Sequence, residues 1–425
     1  MQPSKLSQLT TAINDALEAT DHELALRILL SNFDRIEDNS PLREKVALIL
    51  AERGRKREAV ELYQLVTRHF ANAGYPVRAI AAARQMLKLN PDTPVVLDHI
   101  ATLYNIRSPF LSGDIERIQF VEPIRDFDLT GASCTLDESS LLDEALARSL
   151  DKDTLMSQPG SLPSIALLTL LPQEALRRVL DLLEYNVFDR TQRLLEKGIR
   201  NDDLVWTVSD DLIVRSDEVV MFIEAGSLLG LNGFGSSGRT SKVDVFARAG
   251  AEILRLSAES IRILSEEFGD FDNRLSTLRR HAMTERVLRR HPMFDGLSEV
   301  ERVRIMEMFT GIRLKAGDKL IEQDVPTPGL FVLLDGTVEV VTTENGISTR
   351  LATLRSGDMV GEIGLVANTP ATAACTMLEE GHALHLGRAD FKELVARYPE
   401  VGNYAQSLAE SRISEVNADE LVEAD

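Results

Sequence analysis

The residues of this chain best suited to chemistry lie in Gly357–Ala373, GDMVGEIGLVANTPATA. Gly361 precedes Glu362 at the start of a short apolar run, Ile363-Gly364-Leu365, and Pro370-Ala371-Thr372-Ala373 closes the segment. Glycine-led turns into short helices present backbone N–H groups to anions. The stretch therefore reads as a phosphate-binding cassette.

The segment resembles the signature of cyclic nucleotide-binding domains, in which G-E-x-[AG]-L is followed, after a short spacer, by P-R-x-A. Gly361, Glu362, Gly364, Leu365, Pro370 and Ala373 fall on that pattern with the family spacing, and Ala371 replaces its arginine. The resemblance implies that the turn faces a cyclic phosphate, that the glutamate accepts from the ribose 2′-hydroxyl, and that the missing guanidinium would pair with the phosphate charge. The expected ligand site is therefore Gly361, Glu362, Ile363, Gly364, Leu365, Ala371, Thr372 and Ala373, with its sugar-reading half kept and its charge-reading half lost. The flanks fit too. His291-Pro292-Met293-Phe294 and Leu297-Ser298 look like the family's opening helix, followed by an amphipathic helix over Val300–Phe309. Ile312–Gln323, Leu330–Val341, Leu351–Leu354 and Ala383–Leu386 read as short strands around Gly-Asp and Asp-Gly turns, and Arg388–Arg397 as a closing helix. Short strands at this spacing indicate a jelly-roll barrel.

A second copy lies upstream. A shift of 126 positions places Leu171 on Leu297, Phe188 on Leu314, Leu204 on Leu330 and Val214 on Val340. Gly226 and Gly230 fall on Gly357 and Gly361 at 131, and Leu254-Arg255-Leu256 on Leu384-His385-Leu386 at 130. The chain thus carries two barrels in tandem. In the first, the glutamate position is Leu231, and Arg239-Thr240 sits near the phosphate position after a spacer one residue shorter. Gly230, Leu231, Arg239 and Thr240 form an expected degenerate site, so each copy lacks a different half. Helices over Ser257–Phe268 and Asp270–Arg290 join the barrels, with Phe271, Leu275, Leu278, Val287 and Leu288 as an apolar stripe. Tandem receptors of the family, such as protein kinase A regulatory subunits, use that helix pair to report occupancy of one domain to the next. A basic cluster (Arg274, Arg279, Arg280, His281, Arg286, Arg289, Arg290 and His291) lies on the same connector and either docks an acidic partner or pairs with the chain's own carboxylates.

Residues 1–105 show helical spacing throughout. Tyr63, Val66, Thr67 and Phe70 recur 34 residues later as Leu97, Ile100, Ala101 and Tyr104, a period that resembles tetratricopeptide repeats. Such a solenoid offers a concave groove to a protein partner. The expected organisation is multidomain α plus β: an α-helical solenoid over 1–105, a linker with a short helix (Leu141–Leu150) and an Ile115–Val121 patch over 106–160, and a first barrel over 161–269. A connector helix over 270–290 and a second barrel with a C-terminal helix over 291–425 complete it.

Composition narrows the function. A net charge of −20 opposes sequence-independent nucleic-acid binding, which needs Lys and Arg to displace counterions. No run of 18 apolar residues and no signal peptide is visible, and Cys134 and Cys375 form no metal-like spacing, so the expectation is a cytoplasmic protein with no metal, cofactor or membrane insertion. No H-E-x-x-H, Walker or G-x-S-x-G motif is present, which points away from an enzyme. Tyr404–Asp425 is too short for a winged-helix DNA reader, and no R-R-x-[ST] pseudosubstrate precedes the first barrel. Two classes remain. One is a sensor or adaptor that reads a nucleotide or nucleoside, weakly for cAMP, and binds a protein through its helical domain. The other is a ligand-free scaffold of degenerate barrels.

Overall fold

The computed structural model describes residues 5–36, 39–92, 94–111, 126–152, 155–165, 167–209, 211–215, 220–231, 240–241, 243–295, 297, 301, 305 and 308–422. The chain divides into two compact units, Met1–Gly233 with Arg239–Leu275, and Phe234–Gly238 with Ser276–Asp425. The expected Ile115–Val121 patch lies outside the described residues, as does most of the helix expected over Val300–Phe309.

In the first unit α1 (Lys5–Glu18), α2 (His22–Asn32), α3 (Ser40–Glu52), α4 (Lys56–Asn72), α5 (Pro76–Leu89) and α6 (Val95–Tyr104) follow one another as the apolar spacing predicts. Asp21 caps α2 by accepting from the Leu24 N–H at 2.9 Å. Pro41 and Pro76 stand in the first turns of α3 and α5, where a missing N–H has no helical partner to lose. Tyr63, Val66, Thr67 and Phe70 on α4, and Leu97, Ile100, Ala101 and Tyr104 on α6, are all buried, so the 34-residue period repeats core-facing positions. Small buried residues on α5, Ala79 and Ala83, allow close packing with α4, and the Tyr104 hydroxyl donates to the Ala71 carbonyl at 2.8 Å. After this bundle α7 (Glu138–Ser149) packs on α2 and α3, burying Leu141 and Ala145.

α8 (Gln173–Leu182) leads into eight strands: β1 (Glu184–Val187), β2 (Gln192–Leu195), β3 (Leu204–Thr207), β4 (Leu212–Arg215), β5 (Val220–Ile223), β6 (Leu228–Leu229), β7 (Asp244–Ala247) and β8 (Glu252–Leu256). They form two antiparallel sheets, β1-β8-β3-β6 and β2-β7-β4-β5. Between these sheets and the helices, Arg84 of α5 donates to the Leu183 and Asp181 carbonyls, and Lys45 of α3 meets Glu252 at 3.3 Å. α9 (Ala258–Glu267) and α10 (Phe271–Arg290) follow.

The second unit repeats the arrangement with β9 (Thr310–Leu314), β10 (Lys319–Ile321), β11 (Gly329–Asp335), β12 (Val338–Glu344), β13 (Ile347–Leu354), β14 (Met359–Val360), β15 (Ala374–Met377) and β16 (Gly381–Gly387). Its sheets run β9-β16-β11-β14 and β10-β15-β12-β13, strand for strand the order of the first. The offsets survive as well: β1 and β4 begin 126 positions before β9 and β12, β7 begins 130 before β15, and β6 begins 131 before β14. The internal repeat, expected as two jelly-roll barrels, is present as tandem antiparallel sandwiches of two four-stranded sheets each.

Candidate functional site

The cassette of the second unit hangs between β14 and β15. Its short helix, α11 (Glu362–Val366), starts from Gly361 at φ 100°, a left-handed conformation that disfavours any side chain. A Cβ on Gly361 would lie 2.5 Å from the Gly329 carbonyl oxygen. The first unit has the same construction: Gly230 has φ 95°, and a Cβ there would lie 2.0 Å from the carbonyl oxygen of Asp203, the repeat partner of Gly329. Gly364 packs on Thr327, whose Oγ1 would be 2.1 Å from an added Cβ. These cassette glycines are therefore required by backbone geometry in both copies, with or without a ligand.

Glu362 occupies the first turn of α11, where the helix dipole favours a carboxylate. Its side chain is 1% exposed, and its Oε1 accepts from Arg412 Nη1 at 2.6 Å. Arg412 projects from α13 (Pro399–Val422) and also donates to the Met359 carbonyl at 2.7 Å. The other end of α11 is held by Arg388, the first residue of α12 (Arg388–Arg397), which donates to the Gly364 carbonyl at 2.8 Å. Two arginines from the helices after the barrel thus clamp the cassette helix. Neither was singled out in the sequence. Arg412 carried one visible cue, a guanidinium in the otherwise acidic run AESRISEVNADELVEAD.

Ala371 lies in an apolar cluster with Val360, Phe331, Cys375 and Ala383, and its N–H and C=O are taken by Val325 and Asp324. Burial, and then the nearby Glu362 charge, push the Cys375 thiol up to about 12. Ile363 is half-buried, Leu365 and Ala373 are buried, and Thr372 is exposed with its carbonyl accepting from Thr342. The position where the family resemblance leads one to expect an arginine is thus a buried methyl group in an apolar cluster.

In the first unit Leu231 is half-buried directly after Gly230, and Thr240 is exposed, bridged to Arg200. Arg239 lies outside the described residues. The connector's basic cluster is partly internal: Arg279 Nη2 donates to Asp335 Oδ2 at 3.1 Å, with both side chains buried, and Asp335 Oδ1 accepts from the His382 N–H at 2.6 Å. Among the described residues no group of His, Cys, Asp and Glu is placed to hold a metal, and no helix is long and apolar enough to cross a membrane.

Residues 312–398 match the family model described as the cyclic nucleotide-binding domain. They carry a cyclic nucleotide-binding domain. The chain is similar to the cAMP-dependent protein kinase regulatory subunit of Mycosarcoma maydis, 29% identical over 50% of this chain and 42% of that one. It is also similar to the regulatory subunit of Aspergillus fumigatus, 26% identical over 31% of each. The chain therefore spans between about a third and a half of the length of these curated relatives. Solved structures that align with it include the regulatory subunit of a cAMP-independent protein kinase A from Trypanosoma brucei, at TM-score 0.30 and 17% identity over 60% of this chain and 88% of that one. The regulatory domain of Toxoplasma gondii PKA with cAMP aligns at TM-score 0.29 and 15% identity, over 57% and 90%.

Proposed function

We propose that the chain is a non-enzymatic sensor whose second barrel reads a ribonucleoside-like ligand through Glu362, and whose helical region, read as a solenoid of the tetratricopeptide kind, binds a protein partner. The observation that carries this reading is the pairing of a buried cassette carboxylate with an apolar residue at position 371. A carboxylate can accept from a ribose hydroxyl, whereas Ala371 offers phosphate no charge. A guanidinium–phosphate contact contributes about 1.5–3 kcal/mol, so its loss weakens a cyclic phosphate by at least about tenfold. A neutral nucleoside loses nothing by it.

Arg412 gives the site a route outward. A ligand hydroxyl that engages Glu362 shares or replaces the 2.6 Å contact to α13, so occupancy and the seating of that helix are linked. In the first barrel Leu231 stands at the glutamate's repeat position with an apolar group, and burying a ribose hydroxyl against it is unfavourable. That barrel is assigned a structural role. The scaffold reading draws its support from the same ion pair, since a carboxylate already satisfied by Arg412 needs no ligand. Calorimetric titration of the full chain with cAMP and with a neutral ribonucleoside separates the two: the sensor binds the nucleoside more tightly, and the scaffold binds neither.

A further inference from the structure

Residues 126–152, 155 and 156 lie along the helical bundle of the first unit, and side chains of α2, α3, α4 and the turn after α2 bond to their backbone. Arg35 donates to the Asp126 carbonyl at 2.8 Å. Asn32, fully buried, donates to the Asp128 carbonyl at 2.8 Å and accepts from the Asp128 N–H at 2.9 Å. Arg27 donates to the Cys134 and Leu136 carbonyls, each at 3.1 Å. Arg43, 1% exposed, donates to the carbonyls of Ser149 at 3.0 Å and Asp151 at 2.6 Å, where α7 ends and a cation complements the helix dipole. Further along, Asn72 donates to the Met156 carbonyl at 3.0 Å and His69 Nδ1 accepts from the Met156 N–H at 3.0 Å.

Two features set this segment apart from an ordinary connection. Its recognition is mostly of main-chain groups by polar side chains of a helical surface, of which Asn32, Arg43, His69 and Asn72 are buried, the way a groove holds a peptide. It also carries charge: Asp143 pairs with Arg55 and, in the opposite sense, Arg148 pairs with Asp34, while the segment's Asp126, Asp128, Asp137 and Glu138 leave it acidic beside a surface that supplies Arg27, Arg35, Arg43 and Arg55. Its seating depends on one glycine. Gly131 has φ 69°, and a Cβ there would lie 2.6 Å from Arg27 Cβ and 2.9 Å from the α2 backbone.

We propose that α2–α4 form a peptide-binding surface whose resident occupant is the chain's own segment 126–156, held in cis as a displaceable strap. A partner that uses this surface presents the same chemistry: an acidic, glycine-containing turn followed by a short helix. The proposal rests on the reading of the helical region as partner-binding, and its test involves no nucleotide, so its outcome is independent of the ligand assignment.

The experiment uses the full chain with protease sites inserted within 112–125 and within 157–160. After cleavage, a fluorescently labelled synthetic peptide of residues 126–156 is added, and its exchange into the nicked protein is followed by anisotropy, with helix content followed by circular dichroism. The expected result is saturable exchange with helix content retained, and binding at least about tenfold weaker for the same peptide carrying Gly131→Ala. Because that change is on the peptide, the protein itself is unaltered. A segment that never exchanges, or leaves only as the helices unfold, is an integral part of the bundle and overturns the proposal. Equal binding of the Gly131→Ala peptide overturns it too.

Discussion

Replacing Arg412 with alanine probes the contact that joins the cassette to α13. The guanidinium supplies hydrogen bonds of 2.6 Å to Glu362 and 2.7 Å to the Met359 carbonyl, and Glu362 is 1% exposed. Removing one member of a buried ion pair strands the other and costs about 3–5 kcal/mol. The Arg412 side chain is 24% exposed, so water enters part of the vacated space and the loss falls at the low end, about 3 kcal/mol. For a unit of this size each kcal/mol moves the melting temperature by about 2–4 °C, which places the expected drop at about 6–12 °C. Replacing both partners, Arg412→Ala with Glu362→Gln, removes the stranded charge and restores part of the stability, with a coupling of at least about 1.5 kcal/mol in a double-mutant cycle. Differential scanning calorimetry of the full chain, wild type against the single and double variants, reads these shifts. A drop within about 1 °C for Arg412→Ala, with additive single substitutions, refutes the buried pair as a structural link.

Two further outcomes follow from the same geometry. Ala371→Arg supplies the missing guanidinium and strengthens cAMP binding by about tenfold or more, measured by calorimetry, while nucleoside affinity stays level. In the first unit, burial and then the Glu252 charge push the Glu44 carboxyl up from 4.5 to about 7, against opposing effects of Lys45, Arg78 and the Gln85 hydrogen bond. Since its folded value lies above its unfolded one, this group's stabilisation is complete below pH 4.5 and is lost as pH rises through about 7, so the first unit melts lower at pH 8 than at pH 5, and Glu44→Gln flattens that slope.

The fold was legible wherever a position had to be apolar, small or left-handed. The tandem sandwich could be read from shifts of 126, 130 and 131 because strand alternation and turn glycines repeat in both copies, and Gly230 and Gly361 prove to meet equivalent carbonyls, those of Asp203 and Gly329. The 34-residue period was legible because its members all face a core. Long-range polar contacts left almost no pattern. Arg412 reaches Glu362 across 50 residues, and nothing in the spacing of either side chain announces the pair. Arg279 was visible as one charge in a basic cluster, yet it is buried against Asp335 and is spent inside the second unit. The 126–156 segment read as a linker because, outside α7, it is held largely through its backbone atoms, which any sequence supplies. The expected ligand residues are assembled around α11 and β15, and the arginines that clamp this helix come from elements whose role was legible only as closing helices.

The second barrel is proposed to read a ribose hydroxyl and not a phosphate charge. Calorimetry of the full chain with a ribonucleoside, its 2′-deoxy counterpart and cAMP tests it most directly. The ribonucleoside is expected to bind most tightly and the 2′-deoxy form at least about tenfold more weakly, because it offers Glu362 no hydroxyl and forgoes a hydrogen bond to a charged group. Weak or no heat is expected from cAMP. Tight cAMP binding, or equal affinity for the ribo and 2′-deoxy forms, contradicts it.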